Sequence, residues 1–265
     1  MRPRSALFAL VVLAATARSE RTDASVCLAP DQVALPLLHV PAPTNTHVWL
    51  FVSKYFRDVG CAKPPCEGRF VLRTAAGDAD AREIPIAKVT QTTSGTLTAI
   101  ELVPARDLPP LRTFETWWIP RDDGAPRLMS AFHTGKARDE SSPTALALTR
   151  VHRFTASSMI LGESGVEQIV FEGEPGLDDG APAPLYAIWI DADPTTRRPP
   201  DAILDRALMS RDDLYRPRAF VAGTGASCYS TFTGGRDVVG KTLVVRALDL
   251  AGNPGPPSVV VVAPR

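Results

Sequence analysis

Proline is spread along most of this chain and restricts what it can fold into. The sequence has 25 Pro and 18 Gly in 265 residues, and proline alone is about twice its usual share. Proline lacks a backbone N–H and breaks helix interiors, whereas the turns between short strands accept it readily. The composition therefore favours many short strands over long helices.

The apolar residues follow the same plan from about residue 30 onwards, as short runs separated by turn residues. The run 46–53 is apolar at odd and even positions alike, which predicts a central strand buried on both faces. Asp122-Asp123-Gly124 lies between two apolar runs and predicts a hairpin. We expect an all-β protein of two tandem Ig-like (fibronectin III-like) β-sandwich domains, with strands at 46–53, 69–74, 84–90, 97–103, 112–119, 128–134, 145–153, 166–172, 185–191, 219–222, 227–233, 241–249 and 258–263.

The charged, apolar-poor segment 135–143 interrupts this rhythm and ends in a proline, as a linker does. At Ala202–Met209 apolar residues recur at helical spacing, so a short helix competes there with a strand. The predicted organisation is a signal peptide at 1–17, a disordered segment at 18–29, a first domain at 30–134, the linker at 135–143 and a second domain at 144–265.

The N-terminus predicts export. Arg2 and Arg4 form a basic head, and the apolar run 5–17 is shorter than the ~20 residues that cross a bilayer. Small residues at Ala15 and Ala17 complete a secretory signal. We expect a secreted, periplasmic or cell-envelope protein without a transmembrane anchor, because no later apolar run has the length of a membrane span.

The charge balance argues against a nucleic-acid or anionic-membrane ligand. Lys+Arg and Asp+Glu both count 29. Removal of the leader takes Arg2 and Arg4 with it, which leaves a slight acidic excess. Nucleic-acid binding by counterion release needs a concentrated basic surface instead.

An exported chain meets oxidising conditions, so its four cysteines are expected to pair. Cys61 and Cys66 close a short loop that contains two prolines, and this is the favoured bond. Cys27 and Cys228 remain as the second pair. A zinc site is disfavoured because the loop spacing is loose and no C-x2-C or H-x3-H motif completes it.

Several motifs in the first half resemble a known family. Residues 40–45 (VPAPTN), the strand with Trp49, residues 108–116 (LPPLRTFET) and residues 132–135 (FHTG) are similar to the bacterial Ig-like domain of the surface-layer (SbsA) type. The resemblance covers roughly residues 30–135. An Ala-Pro insertion enlarges the first turn, and Phe114 stands where the family has tyrosine.

The second half resembles bacterial Ig-like and fibronectin III-like modules. Residues 247–253 (ALDLAGN) are similar to their D-x-A-G-N ending, and Leu177-Asp-Asp-Gly180 before the strand with Trp189 follows the same group. Asp249 and Asn253 are expected to shape the last hairpin. Two-module exported proteins of this kind resemble myxobacterial ones, and the resemblance implies surface or spacer roles rather than one chemistry.

No catalytic motif stands out, so we expect no catalytic residues. The four histidines form neither H-x-H nor H-x-x-x-H, and no G-x-S-x-G is present. Acidic pairs could supply oxygen ligands for calcium, although the turn chemistry of aspartate explains them equally. The calcium candidates are Asp178, Asp179, Asp191 and Asp193, with the pair Asp139-Glu140 beside the linker.

Trp117 and Trp118 are adjacent on a predicted strand, so their indoles should point to opposite faces. One enters the core, and the other could offer a stacking platform. The favoured function is a non-enzymatic exported protein that binds an unidentified protein or glycan at the cell surface, or acts as a spacer, without a cofactor. The alternatives are a carbohydrate-binding module that uses Trp117 or Trp118, and an envelope or sugar hydrolase with paired carboxylates.

Overall fold

A computed structural model describes residues 33–34, 41–53, 56–58, 67–75, 82–95, 97–121, 124–156, 166–205, 219–223 and 238–264. Strands make up most of these residues. Their only helical element is a single 3-10 turn at Phe56–Asp58. The prediction of an all-β chain is therefore confirmed.

Eight strands form two four-stranded antiparallel sheets in the first half of the chain. One sheet has the order β1-β2-β6-β5 and the other β4-β3-β7-β8. The strands are β1 (Val33–Ala34), β2 (Val48–Ser53), β3 (Gly68–Thr74), β4 (Glu83–Ile84), β5 (Ile86–Ser94), β6 (Leu97–Pro104), β7 (Thr113–Pro120) and β8 (Arg127–His133).

The two sheets face each other across one apolar core. Leu50 of β2 and Ile100 of β6 meet Leu72 of β3 and Phe114 of β7 there. Side chains alternate along a strand, so β7 buries Phe114, Thr116 and Trp118 and turns the residues between them outward. The predicted hairpin is confirmed by the antiparallel pairing of β7 with β8, although Asp122 and Asp123 lie outside the described residues.

The described residues of the second half form nine strands: β9 (Ala147–Ala156), β10 (Val166–Glu174), β11 (Leu177–Asp178), β12 (Ala181–Pro182), β13 (Leu185–Ile190), β14 (Ala202–Asp205), β15 (Ala219–Gly223), β16 (Thr242–Leu248) and β17 (Ser258–Ala263). Strands β11 and β12 pair with each other. The other seven form one sheet in the order β14-β13-β16-β17-β9-β10-β15.

This seven-stranded sheet curls around its own core. Phe171 of β10 and Tyr186 of β13 belong to the same apolar cluster, although their strands lie on opposite sides of β17 in the sheet. The first part of β17 pairs antiparallel with β16, and Val262 and Ala263 pair in parallel with β9. Strand β17 thus connects the two layers of the second half.

Of the helix and the strand that compete at Ala202–Met209, the described residues form the strand. Residues 202–205 are strand β14, paired with β13. Ala202 and Leu204 enter the core of the second half, whereas Ile203 faces the other way. Because side chains alternate along a strand, these residues pack into apolar clusters on both faces of β14. This packing outweighs the local helical spacing. Residues 206–209 and the predicted strand 227–233 lie outside the described residues.

The segment predicted as a linker is hydrogen-bonded to both halves. The Asn45 side chain receives a bond from the Asp139 backbone N–H and donates one to the Asp139 carbonyl, each 2.8 Å. On the other side the Asn253 side-chain amide donates to the Ser141 carbonyl at 3.2 Å. Residues 139–141 therefore lie at a fixed junction between the two halves.

Glycine is required where β10 bulges against β9. The pairing register shifts between Glu172 and Gly173, and Gly173 has φ +144°. A Cβ atom at this position would overlap the Ala147 carbonyl oxygen. Gly240 also has a positive φ, +78°, but a Cβ there would meet no atom within 4 Å.

We expect Gly173→Ala to lower the free energy of unfolding by about 3 kcal/mol or more, because the backbone of β9 has to shift. Gly240→Ala is the matched control and should cost only the ~1 kcal/mol of a left-handed backbone. Urea unfolding of both variants measures the difference. Equal losses would contradict the steric explanation.

Candidate functional site

Three carboxyl groups from distant parts of the chain meet beside the junction. Asp139 lies in the junction segment, Asp178 ends β11 and Asp249 follows β16. One oxygen from each lies within 4.8 Å of the others. Asp249 is completely buried, and the other two are partly buried. We call these three residues the acidic cluster.

A tight turn places Asp178 at this point. Asp179 and Gly180 have φ of 48° and 81°, the combination of a type I′ turn between two antiparallel strands. Aspartate and glycine tolerate such angles better than other residues do. The Asp-Asp-Gly sequence therefore forms the β11–β12 hairpin and leaves Asp178 at its base.

Asp249 is held by the turn that it shapes. Its two carboxylate oxygens accept hydrogen bonds of 2.7 Å from the Asn253 backbone N–H and side-chain amide. Gly252 completes the turn with φ +83°. The expectation that Asp249 and Asn253 shape the last hairpin is confirmed. The same bonds also aim Asp249 at the acidic cluster.

The surroundings of the acidic cluster raise the pKa of two of its carboxyl groups. Burial, and then the neighbouring Asp139, Asp249 and Asp179, raise the pKa of Asp178 to about 6. Burial also raises the pKa of Asp249 to about 6, against the lowering effect of its bonds from Asn253. One oxygen of Asp178 is buried without a hydrogen-bond partner among the described residues. A proton or a cation would relieve this repulsion.

These three oxygens could form part of a ligand set for a hard cation, since Ca²⁺ takes about six to eight oxygens. Of the six acidic residues predicted as calcium candidates, the structure places Asp178 and Asp139 here. Exposed Asp179 lies in the hairpin turn and accepts a 3.3 Å bond from the Ser141 hydroxyl. Asp249, which the sequence pattern assigned only to the last hairpin, completes the group.

Asp191 and Asp193 lie outside the acidic cluster, and each stabilises a turn. Asp191 has φ 48° and accepts the Thr242 N–H at 3.1 Å. Asp193 accepts the backbone N–H and the hydroxyl of Thr195 at 2.7 and 2.5 Å, and these bonds lower the pKa of Asp193. Both positions follow the turn chemistry of aspartate.

The tryptophan pair divides as predicted. Trp118 is buried in the first core, 4.8 Å from the Phe70 ring. Trp117 faces outward, and its indole N–H donates to Glu115 at 2.9 Å. The Arg73 guanidinium lies over the Trp117 ring at 4.5 Å and is bonded to the same Glu115. One ring face of the outward indole is therefore already covered.

The predicted disulfide cysteines, Cys27, Cys61, Cys66 and Cys228, lie outside the described residues, as does the predicted leader. Both pairings stay predictions. In the described residues, no helix is long and apolar enough to cross a membrane.

No protein-family model matches this chain, and no curated protein matches it either. Solved structures that match include a pullulanase of Anoxybacillus sp. LM18-11 complexed with maltotriose, at 10% identity and a TM-score of 0.22. Another is a crystal structure of pullulanase from the same organism, at 11% identity and a TM-score of 0.23. Each alignment covers 83% of this chain and 24% of the pullulanase, so the chain spans about a quarter of that enzyme's length. Likenesses at these TM-scores carry no argument about fold or function.

The raised pKa values predict a specific pH dependence. A carboxyl that titrates at about 6 in the folded chain and near 3.8 when unfolded stabilises the protein below pH 4. That contribution is lost as the pH rises through about 6. Asp178→Asn should therefore raise the Tm by a few degrees at pH 7 in EDTA and by much less at pH 4.

Calorimetry at both pH values measures this difference, and exposed Glu140→Gln is the matched control. A gain for Asp178→Asn that is the same at pH 4 and pH 7 would contradict the assignment. If the cluster also takes calcium, then added Ca²⁺ should raise the Tm of the unmodified protein at pH 7 but not that of Asp178→Asn.

Proposed function

We propose that this protein is an exported, non-enzymatic protein of two Ig-like modules, which holds a binding surface or spaces other components at the cell surface or in the periplasm. The observation that carries the proposal is a third apolar cluster, built from both halves of the chain. It joins Trp49 and Phe51 of β2 to Leu185 and Trp189 of β13. Two modules held in one orientation by such a cluster suit a spacer better than a flexible pair does.

This inter-half cluster consists of the outer faces of two sheets. Phe51 has no exposed surface, and Trp49 is 5% exposed. Burial of one such side chain contributes about 1.5–3 kcal/mol. Separation of the halves would expose several of them at once, so the relative orientation of the two modules is strongly favoured. The remaining members are Leu97, Ala99, Ala187, Ile203, Val244 and Leu248.

Contacts of His47 with the turn after β16 lie beside this cluster. The His47 backbone N–H donates to the Leu250 carbonyl at 2.6 Å. The His47 ring packs so closely on Gly252 that a Cβ there would lie 2.5 Å from its Cε1 atom. His47 Nδ1 is also 2.7 Å from Glu101. The turn that contains Asp249 is thus in direct contact with the first half.

The side chains of the described residues favour a non-enzymatic role. His47 and His133 bond to Glu101 and Thr113 respectively, which lie on different strands. The acidic cluster is a poor hydrolase site, because its fully buried Asp249 is committed to Asn253.

A second candidate function is carbohydrate binding by Trp117. Its partly exposed indole lies on the outer face of a sheet, where aromatic rings stack on sugars. Arg73 and Glu115 would flank such a ligand with charged hydrogen-bonding groups. Trp118 takes no part, since it is buried in the core.

The rigid arrangement can be measured by small-angle X-ray scattering of the full chain. We expect one conformation to fit the curve, and calorimetry to show one unfolding transition. Phe51→Ala should cost about 3–5 kcal/mol and broaden the distance distribution, because it thins the inter-half cluster. Phe70→Ala, in the first core, is the matched control and should lower the Tm without broadening. A broad distribution for the unmodified protein would overturn the spacer proposal.

Glycan arrays test the second candidate. Trp117→Ala should abolish any binding that the unmodified protein shows, because the stacking surface is lost. Arg121→Ala, at an exposed arginine just after the end of β7, is the control and should bind normally. Identical profiles for the unmodified protein and Trp117→Ala would eliminate carbohydrate binding at this face.

A further inference from the structure

Three polar groups lie unpaired in the core of the first half. They are the hydroxyls of Thr116 and Ser130 and the indole N–H of Trp118, and none has a hydrogen-bond partner among the described residues. Thr116 is 0%, Ser130 5% and Trp118 1% exposed. Buried polar groups in native proteins are almost always hydrogen-bonded, to protein or to ordered water.

Two of these groups are direct neighbours. Thr116 of β7 is paired with Ser130 of β8, at the point where the register of the two strands shifts. Thr116 is also paired with Leu72 on its other side. In the opposite sheet of the same half, Thr93 and Thr98 form a similar cross-strand pair, and their hydroxyls bond directly at 3.0 Å. Thr116 and Ser130 make no such bond.

The residues around Thr116 and Ser130 also indicate which kind of molecule could hydrogen-bond to their hydroxyls. Leu72, Phe114 and Trp118 surround this part of the core with large apolar side chains, while threonine and serine fill less volume. A hydroxyl offers one donor and two lone pairs, and a buried water needs about two to four such partners. Because both hydroxyls are uncharged, a neutral ligand fits better than an ion.

We propose that Thr116 and Ser130 form an internal water site in the core of the first half, with the Trp118 N–H, on the same face of β7, as a third partner. The water would bridge β7 and β8 at their bulge, where the regular pairing is interrupted. This site is independent of the acidic cluster and of the inter-half cluster.

The sign of a stability change tests the proposal. Valine has the shape of threonine without its hydroxyl, so Thr116→Val removes one partner from a bound water and should lower the Tm by several degrees. Thr98→Val is the control, since it removes a buried hydroxyl that is bonded directly to the hydroxyl of exposed Thr93, and it should also lower the Tm. If the hydroxyls instead lie unsatisfied, Thr116→Val relieves the desolvation cost and raises the Tm, which overturns the proposal.

A direct observation covers the case in which the variants do not fold. A high-resolution crystal structure of the unmodified protein should show one ordered water within hydrogen-bond distance of both hydroxyls. Absence of a water there, or a direct bond between Thr116 and Ser130, would also overturn the proposal.

Discussion

Strand β2 buries side chains on both of its faces, and the arrangement of the whole chain depends on this. Leu50 and its inward neighbours fill the core between the two sheets of the first half. Trp49 and Phe51, which point the other way, pack against β13 of the second half. Because neighbouring residues of a strand face opposite sides, one six-residue segment supports an internal core and an external interface together.

The junction combines packing with charge. The turn after β16 presents Leu250 and Gly252 to His47, and the same turn holds Asp249 among the other two carboxyl groups. Apolar packing stabilises the contact between the halves, whereas repulsion among the three carboxyl groups destabilises the adjoining turn when they are ionised. Both effects, the apolar packing and the repulsion between carboxyl groups, therefore act within a few residues of the contact between the halves.

The sequence was most informative where a local pattern has a local cause. Continuous apolarity in β2 predicts burial on both faces, and the adjacency of Trp117 and Trp118 predicts that one of them enters the core, because alternation depends on the strand alone. At 202–209 the sequence leaves a helix and a strand open, since a short apolar run fits either period and tertiary pairing decides. The acidic cluster could be anticipated only in part. The sequence marks Asp178 and Asp139 as separate candidates, but their proximity to each other and to Asp249 arises from pairing between distant segments.

The parallel pairing of β17 with β9 determines when the second half can be completed. β9 is the first strand of that half along the chain, and β17 is the last one described. During synthesis from the N-terminus, the edge of β9 that receives β17 stays open until all the strands between them have been made. Such long-range pairing slows folding and leaves an edge available for wrong association. The second half is therefore the part of this chain with the greater need for chaperone protection on its way to the folded state.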